Sequence, residues 1–146
     1  MASPAQAVAN ALGGRRSLGR QVEDGEELAE AIRNGLPVAS VKELAQRLRL
    51  DQAATATALG IAPRTLSRRL AQDARLTPAE SDRAVRLARV FSTAVAMIGS
   101  EEKAVNWMHT ANRALGGARP IEQVDTDPGA MSVEDLLGRI GYGVYS

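Results

Sequence analysis

The sequence predicts an all-α fold, and three observations carry that prediction. Alanine, the best helix former, supplies 26 of the 146 residues. The β-branched and aromatic residues that strands favour are scarce, the aromatics making up only 3%. Capping side chains recur just ahead of apolar residues at helical spacing. The length fits one domain or two very small ones, and 45% hydrophobic with 24% charged residues is an ordinary globular balance.

Residues 1–22 contain Gly13-Gly14 and scattered small side chains, which predicts a flexible N-terminal arm with room for one helical turn. Asp24 caps a helix through Leu28, Ala31 and Ile32 that ends before Gly35-Leu36-Pro37, since proline cannot continue it. Ser40 with Glu43 three residues on forms a capping-box pattern, followed by Val41, Leu44, Ala45 and Leu48 on one face. Asp51 caps a helix from Gln52 to Leu59, and Gly60-Ile61-Ala62 breaks it. Pro63 suits the first turn of the next helix, which runs to about Gln72.

Thr77-Pro78-Ala79-Glu80 repeats the cap logic and opens a long helix to about Ile98. Its apolar face is Ala84, Leu87, Ala88, Phe91, Ala94, Val95 and Ile98. Ser100 caps a helix of about two turns through Trp107. A loop over Asn112–Gly117 leads to a short helix near Pro120–Val124, and Asp127-Pro128-Gly129 reads as a turn. Ser132, with Asp135 three residues on, opens the last helix through Leu136, Leu137 and Ile140. The expected organisation is an arm over 1–22, a helical region over 23–75, and a C-terminal helical domain over 76–146.

The formal net charge of +1 hides an asymmetry: residues 1–39 carry −1, residues 40–89 carry +5 and residues 90–146 carry −3. Sixteen of the eighteen basic residues are arginine, whose planar fork suits phosphates and guanine edges. The basic middle segment contains a helix-turn-helix pattern over 52–72. Ala56 supplies the small residue a steep crossing needs, and Gly60 the residue that tolerates positive φ in the turn. Leu59, Ile61, Leu66 and Leu70 pin the second helix on the first. That second helix then offers Arg64, Thr65, Ser67, Arg68 and Arg69 as candidate DNA contacts. An ordinary helical hairpin with an arginine-rich face is the alternative, as the same geometry also serves protein contacts. Arg75, Arg83, Arg86 and Arg89 either extend the phosphate-contacting surface or pair with Asp73, Glu80 and Asp82.

Several function classes are excluded. Without cysteine there is no disulfide scaffold, thiolate metal site or cysteine nucleophile, a usage that suits the cytoplasm. One histidine, His109, leaves no multi-histidine metal site, and no nucleophile or carboxylate is placed with it for catalysis. Trp107 reads as core, and Ser100, Thr110 and Asn112 as caps. Gly138–Gly143 follows a helix rather than a strand and lacks the lysine of a phosphate loop. Glu122, Asp125 and Asp127 lack the ligand spacing of a calcium loop. No apolar run approaches the roughly 20 residues of a membrane helix, and the N-terminus lacks signal-peptide character. The expectation is a non-enzyme without cofactor, metal or membrane association.

A set of motifs from about residue 40 onward belongs together. They are Arg64-Thr-Leu-Ser-Arg-Arg-Leu70, Leu76-Thr-Pro-Ala-Glu-Ser-Asp82-Arg83, Trp107-Met-His-Thr-Ala-Asn112, Ala114-Leu-Gly-Gly117, Pro120, Thr126-Asp-Pro-Gly129 and Leu137-Gly-Arg-Ile140-Gly-Tyr-Gly143. In this order they resemble the Xre/ParS/MbcA antitoxins, partners of RES-domain toxins in bacterial type II toxin–antitoxin modules. One position departs: family members often carry a proline where this chain has Ala111. The resemblance implies that the helix-turn-helix binds operator DNA of its own operon and represses it, as a homodimer within a larger toxin–antitoxin complex. It implies that the C-terminal domain binds a NAD-degrading, ADP-ribosyltransferase-like toxin and covers its active site. The residues so implied are Arg139, Gly141, Tyr142, Gly143, Val144 and Tyr145. Tyr142, Val144 and Tyr145 also suit docking on their own account, being apolar residues at a chain terminus, the alternative being that this tail packs back on its own domain. The alternative function is a stand-alone helix-turn-helix regulator or adaptor with a different protein partner.

Overall fold

A computed structural model describes residues 2–143. The chain is all-helical, and the helices assemble around one long central rod. The first two helices are α1 (Pro4–Ala11) and α2 (Gly14–Leu18). They correct the expectation of a flexible arm over 1–22. Ser3 forms a capping box with Gln6, Pro4 starts the helix, and Val8, Leu12 and Leu18 are buried. α1 lies on the central rod, which removes from water the apolar face that gives so short a helix its stability.

Next come α3 (Gly25–Asn34), capped by Asp24, and α4 (Val38–Arg47). α4 begins two residues before Ser40, correcting the expected cap: Pro37 precedes it, and the Ser40 hydroxyl is buried, donating to the Pro37 carbonyl at 2.7 Å. Two backbone bonds clasp this corner, Val38 N–H to the Ala74 carbonyl at 3.0 Å and Leu76 N–H to Leu36 at 2.8 Å.

The helix-turn-helix consists of α5 (Gln52–Leu59) and α6 (Pro63–Gln72), with the expected bounds. Gly60 ends α5 at φ 64°, the left-handed region where glycine meets no Cβ penalty. The rod is α7 (Pro78–Ile98), opened by the Thr77–Glu80 capping box. It touches α1, α3, α5, and the later helices α8 (Glu101–Met108) and α10 (Asp127–Tyr142). Leu87 and Phe91 on it are 1% exposed, each contributing about 1.5–3 kcal/mol of burial. One core cluster runs from Ala5 through α7 to Leu137, so apolar packing continues across the expected 75/76 boundary.

A 3-10 turn over Arg113–Leu115, capped by Asn112, and the short α9 (Pro120–Gln123) precede α10. At α9, the backbone N–H and then the side chain of Arg119 hold the exposed Glu122 carboxyl below the usual glutamate range. α10 starts at Asp127, correcting the expected turn and the Ser132 cap. Thr126 accepts from Gly129 N–H at 3.1 Å, and Pro128 sits in the first turn. A Cβ on Gly129 would lie 1.9 Å from the Gln123 carbonyl oxygen, so only glycine lets α10 start against α9.

Candidate functional site

Two separate surfaces carry the candidate residues. The first is the outer face of α6. Asp51 fixes α5 by accepting from Ala54 N–H at 2.7 Å, and the Gly60 turn aims α6 across it. Leu66, 1% exposed, seats α6 on Val38 and Ala56. With Leu66 inward, Arg64, Ser67 and Arg68 are exposed and Thr65 is half-buried beside them. Arg64 and Arg68 are one turn apart, and among the described residues neither forms an ion pair. No side chain caps the start of α6, which leaves first-turn N–H groups open to an anion.

Arg69 does not join this face. Its Nε lies 3.1 Å from Glu80 Oε1, and its Nη2 donates to Oε2 at 3.2 Å. The other four arginines are also occupied, by partners other than the expected Asp73, Glu80 and Asp82. Arg75 donates to the Gly35 carbonyl at 2.7 Å, and Arg83 to that of Leu59 at 3.2 Å. Arg86 donates to the carbonyls of Val124 at 3.0 Å and Asp125 at 2.8 Å. Arg89 grips Glu134, which holds its guanidinium above the ordinary arginine range. The structure thus divides the basic segment: most of these arginines hold the helices together, while Arg64 and Arg68 face outward.

The second surface is the far end of α10. Tyr142 is 76% exposed, and Arg139, one turn before it, is exposed as well. Gly143 closes the helix at φ 63°. Gly141 has a different role, because a Cβ there would meet Met97 Sδ, and the bare glycine lets α10 approach α7. Val144 and Tyr145 lie outside the described residues. Sequence reasoning missed Met131, which is 58% exposed. It lies eleven residues, about three turns, before Tyr142, so the two share a face of α10. That spacing was the available signal.

The residues that tempt an enzymatic reading have structural roles. His109 Nε2 lies 2.6 Å from the Leu48 carbonyl oxygen, linking the end of α8 to the end of α4. Ser100 caps α8, whereas the Thr110 hydroxyl donates back to Asn106. Among the described residues no cluster of histidines and carboxylates is arranged to hold a metal ion. No described helix is long and apolar enough to cross a membrane.

Comparison with known proteins follows the same division. Residues 27–89 match the family model of the antitoxin Xre-like helix-turn-helix domain. Residues 93–143 match that of the antitoxin Xre/MbcA/ParS C-terminal toxin-binding domain. The seam between the two matches falls inside α7. An antitoxin Xre of Yersinia enterocolitica is 36% identical over 132 residues, 90% of this chain and 89% of that protein. An antitoxin Xre of Photorhabdus laumondii is 33% identical over the same shares. A Sphingobium protein described as a Prs ADP-ribosylating antitoxin is 25% identical, covering 79% of this chain and 78% of its own length. Among solved structures, a chain of the M. tuberculosis MbcT–MbcA toxin–antitoxin complex superposes with a TM-score of 0.55 at 25% identity. It covers 75% of this chain and 96% of its own.

Proposed function

This chain belongs to the Xre/MbcA/ParS family of antitoxins, with a toxin-binding C-terminal domain, and on that premise we propose how it acts. Its toxin is a RES-type, ADP-ribosyltransferase-like enzyme that consumes NAD, and the end of α10 with the residues after it covers that enzyme's active site. Arg139, Tyr142, Gly143, Val144 and Tyr145 are the toxin-facing residues. Gly141 serves them by seating α10. The observation that carries this reading is the exposure of Tyr142, a large amphipathic side chain left in solvent at the end of a helix whose Val133 and Leu137 are fully buried. The Sphingobium relative, whose description concerns ADP-ribosylation, supports the toxin class.

The helix-turn-helix represses the operon in the cytoplasm, as a homodimer matched to a two-fold operator. Arg64, Thr65, Ser67 and Arg68 meet the DNA, and Arg69 acts from behind α6. Co-purification of the full chain and of a chain lacking residues 142–146 with the protein encoded by the adjacent reading frame tests the toxin half. The full chain should retain that protein and the shortened chain should lose it. Equal retention by both contradicts docking through this end.

A further inference from the structure

We infer that Glu80 and Arg83, in the first two turns of α7, are positioning residues for the recognition helix α6; the inference rests on the DNA-binding reading above. α6 buries only Leu66. The cluster that receives it, Val38 and Ala56, is separate from the main core. An open apolar groove, lined by Val41, Ala45, Leu50 and Leu70, runs along the inner side of α6. Apolar packing, through Leu66 and the partly buried Leu70, therefore leaves α6 some freedom to tilt.

Two polar clamps remove that freedom. At the C-terminal end of α6, Arg69 meets Glu80, whose residue is 8% exposed. Glu80 Oε1 also accepts from Thr77 N–H at 2.9 Å, which fixes the carboxylate on the start of α7. Arg69 Nη1 donates to the Arg75 carbonyl at 3.3 Å. Any setting of α6 that parts Arg69 from Glu80 leaves a buried carboxylate uncompensated, so one setting is selected. At the other end, Arg83 Nη1 donates to the carbonyls of Leu59 at 3.2 Å and Gly60 at 3.4 Å. Those carbonyls close α5, where a cation also complements the helix dipole. Glu80 and Arg83 are three residues apart on one face of α7, so a single rigid element sets both ends of the recognition unit.

The test measures binding of the full chain to a duplex taken from upstream of its own reading frame and to a shuffled duplex of equal length. Glutamine at position 80 keeps the capping box and removes the charge. For Glu80→Gln, the ratio of upstream to shuffled affinity should fall roughly tenfold, the effect of one mismatched base pair. Affinity for shuffled DNA and its salt dependence should stay at wild-type values, since the phosphate-facing arginines are untouched. Arg69→Met combined with Glu80→Gln should lose no more than the larger single effect, as expected of one interaction. Arg83→Met should lower the same ratio, and Arg83→Lys should restore most of it. If Glu80→Gln does not fold, the Arg83 pair decides. A folded set of variants with the wild-type ratio overturns the inference, as does an equal loss on both duplexes. Wild-type chain that shows no preference for the upstream duplex overturns the DNA reading and the inference together.

Discussion

Arg89 and Glu134 hold each other through two parallel hydrogen bonds of 3.0 Å, joining the end of the helix-turn-helix match to α10. The bidentate geometry ties α10, in the C-terminal domain, to the rod that carries the helix-turn-helix. The side chains are 42% and 25% exposed, so solvent screens the pair. Glu134→Gln should lower unfolding free energy by no more than about 1 kcal/mol in urea denaturation. A much larger loss would show that the two halves depend on this pair more than on their shared apolar core.

Arg68→Ala should weaken operator binding and reduce the slope of log affinity against log salt by about one, the signature of one lost phosphate contact. Toxin binding should be unchanged, because Arg68 is exposed on α6, away from α10. Loss of both activities would contradict two separate surfaces.

Tyr142→Ala should weaken toxin binding by about 2 kcal/mol, the scale of an aromatic hot spot. The melting temperature should not move, since the side chain is 76% exposed and supports little of the fold. Isothermal titration against the toxin, alongside a thermal melt, checks both halves of this expectation.

Leu12→Ala should destabilise the chain by about 2–5 kcal/mol, since Leu12 is fully buried between α1 and α2. Denaturant unfolding measures it. A negligible effect would mean that the N-terminal helices do not belong to the core.

What the sequence revealed and what it hid follow from the range of the interactions involved. Asp24, Asp51, Thr77 and Ser100 each cap through a hydrogen bond three residues away, so the helices they start were readable locally. The turn at Gly60 was readable for the same reason. Ser40 and Ser132 misled because both fit a cap pattern inside helices that Pro37 and Thr126 had already opened. The start of α1 carries the same local signal, Ser3 bonded to Gln6 with Pro4 between them, and what local spacing does not show is the packing of Leu12 and Leu18 into the main core. The arginines were hardest to assign. Arg75, Arg83 and Arg86 are held by backbone carbonyls 23 to 40 positions away, and every residue type offers a carbonyl, so no spacing betrays them. Arg64 and Arg68 are distinguished from Arg69 only by the side of α6 on which Leu66 buries itself.

We propose above that this chain neutralises a NAD-consuming toxin through the end of α10. The most direct test of that proposal expresses the protein of the adjacent reading frame alone, with the full chain, and with the chain lacking residues 142–146, while following growth and cellular NAD. Arrest with falling NAD, relieved by the full chain and not by the shortened one, is the predicted result. Absence of arrest, or arrest that the full chain fails to relieve, would contradict the account.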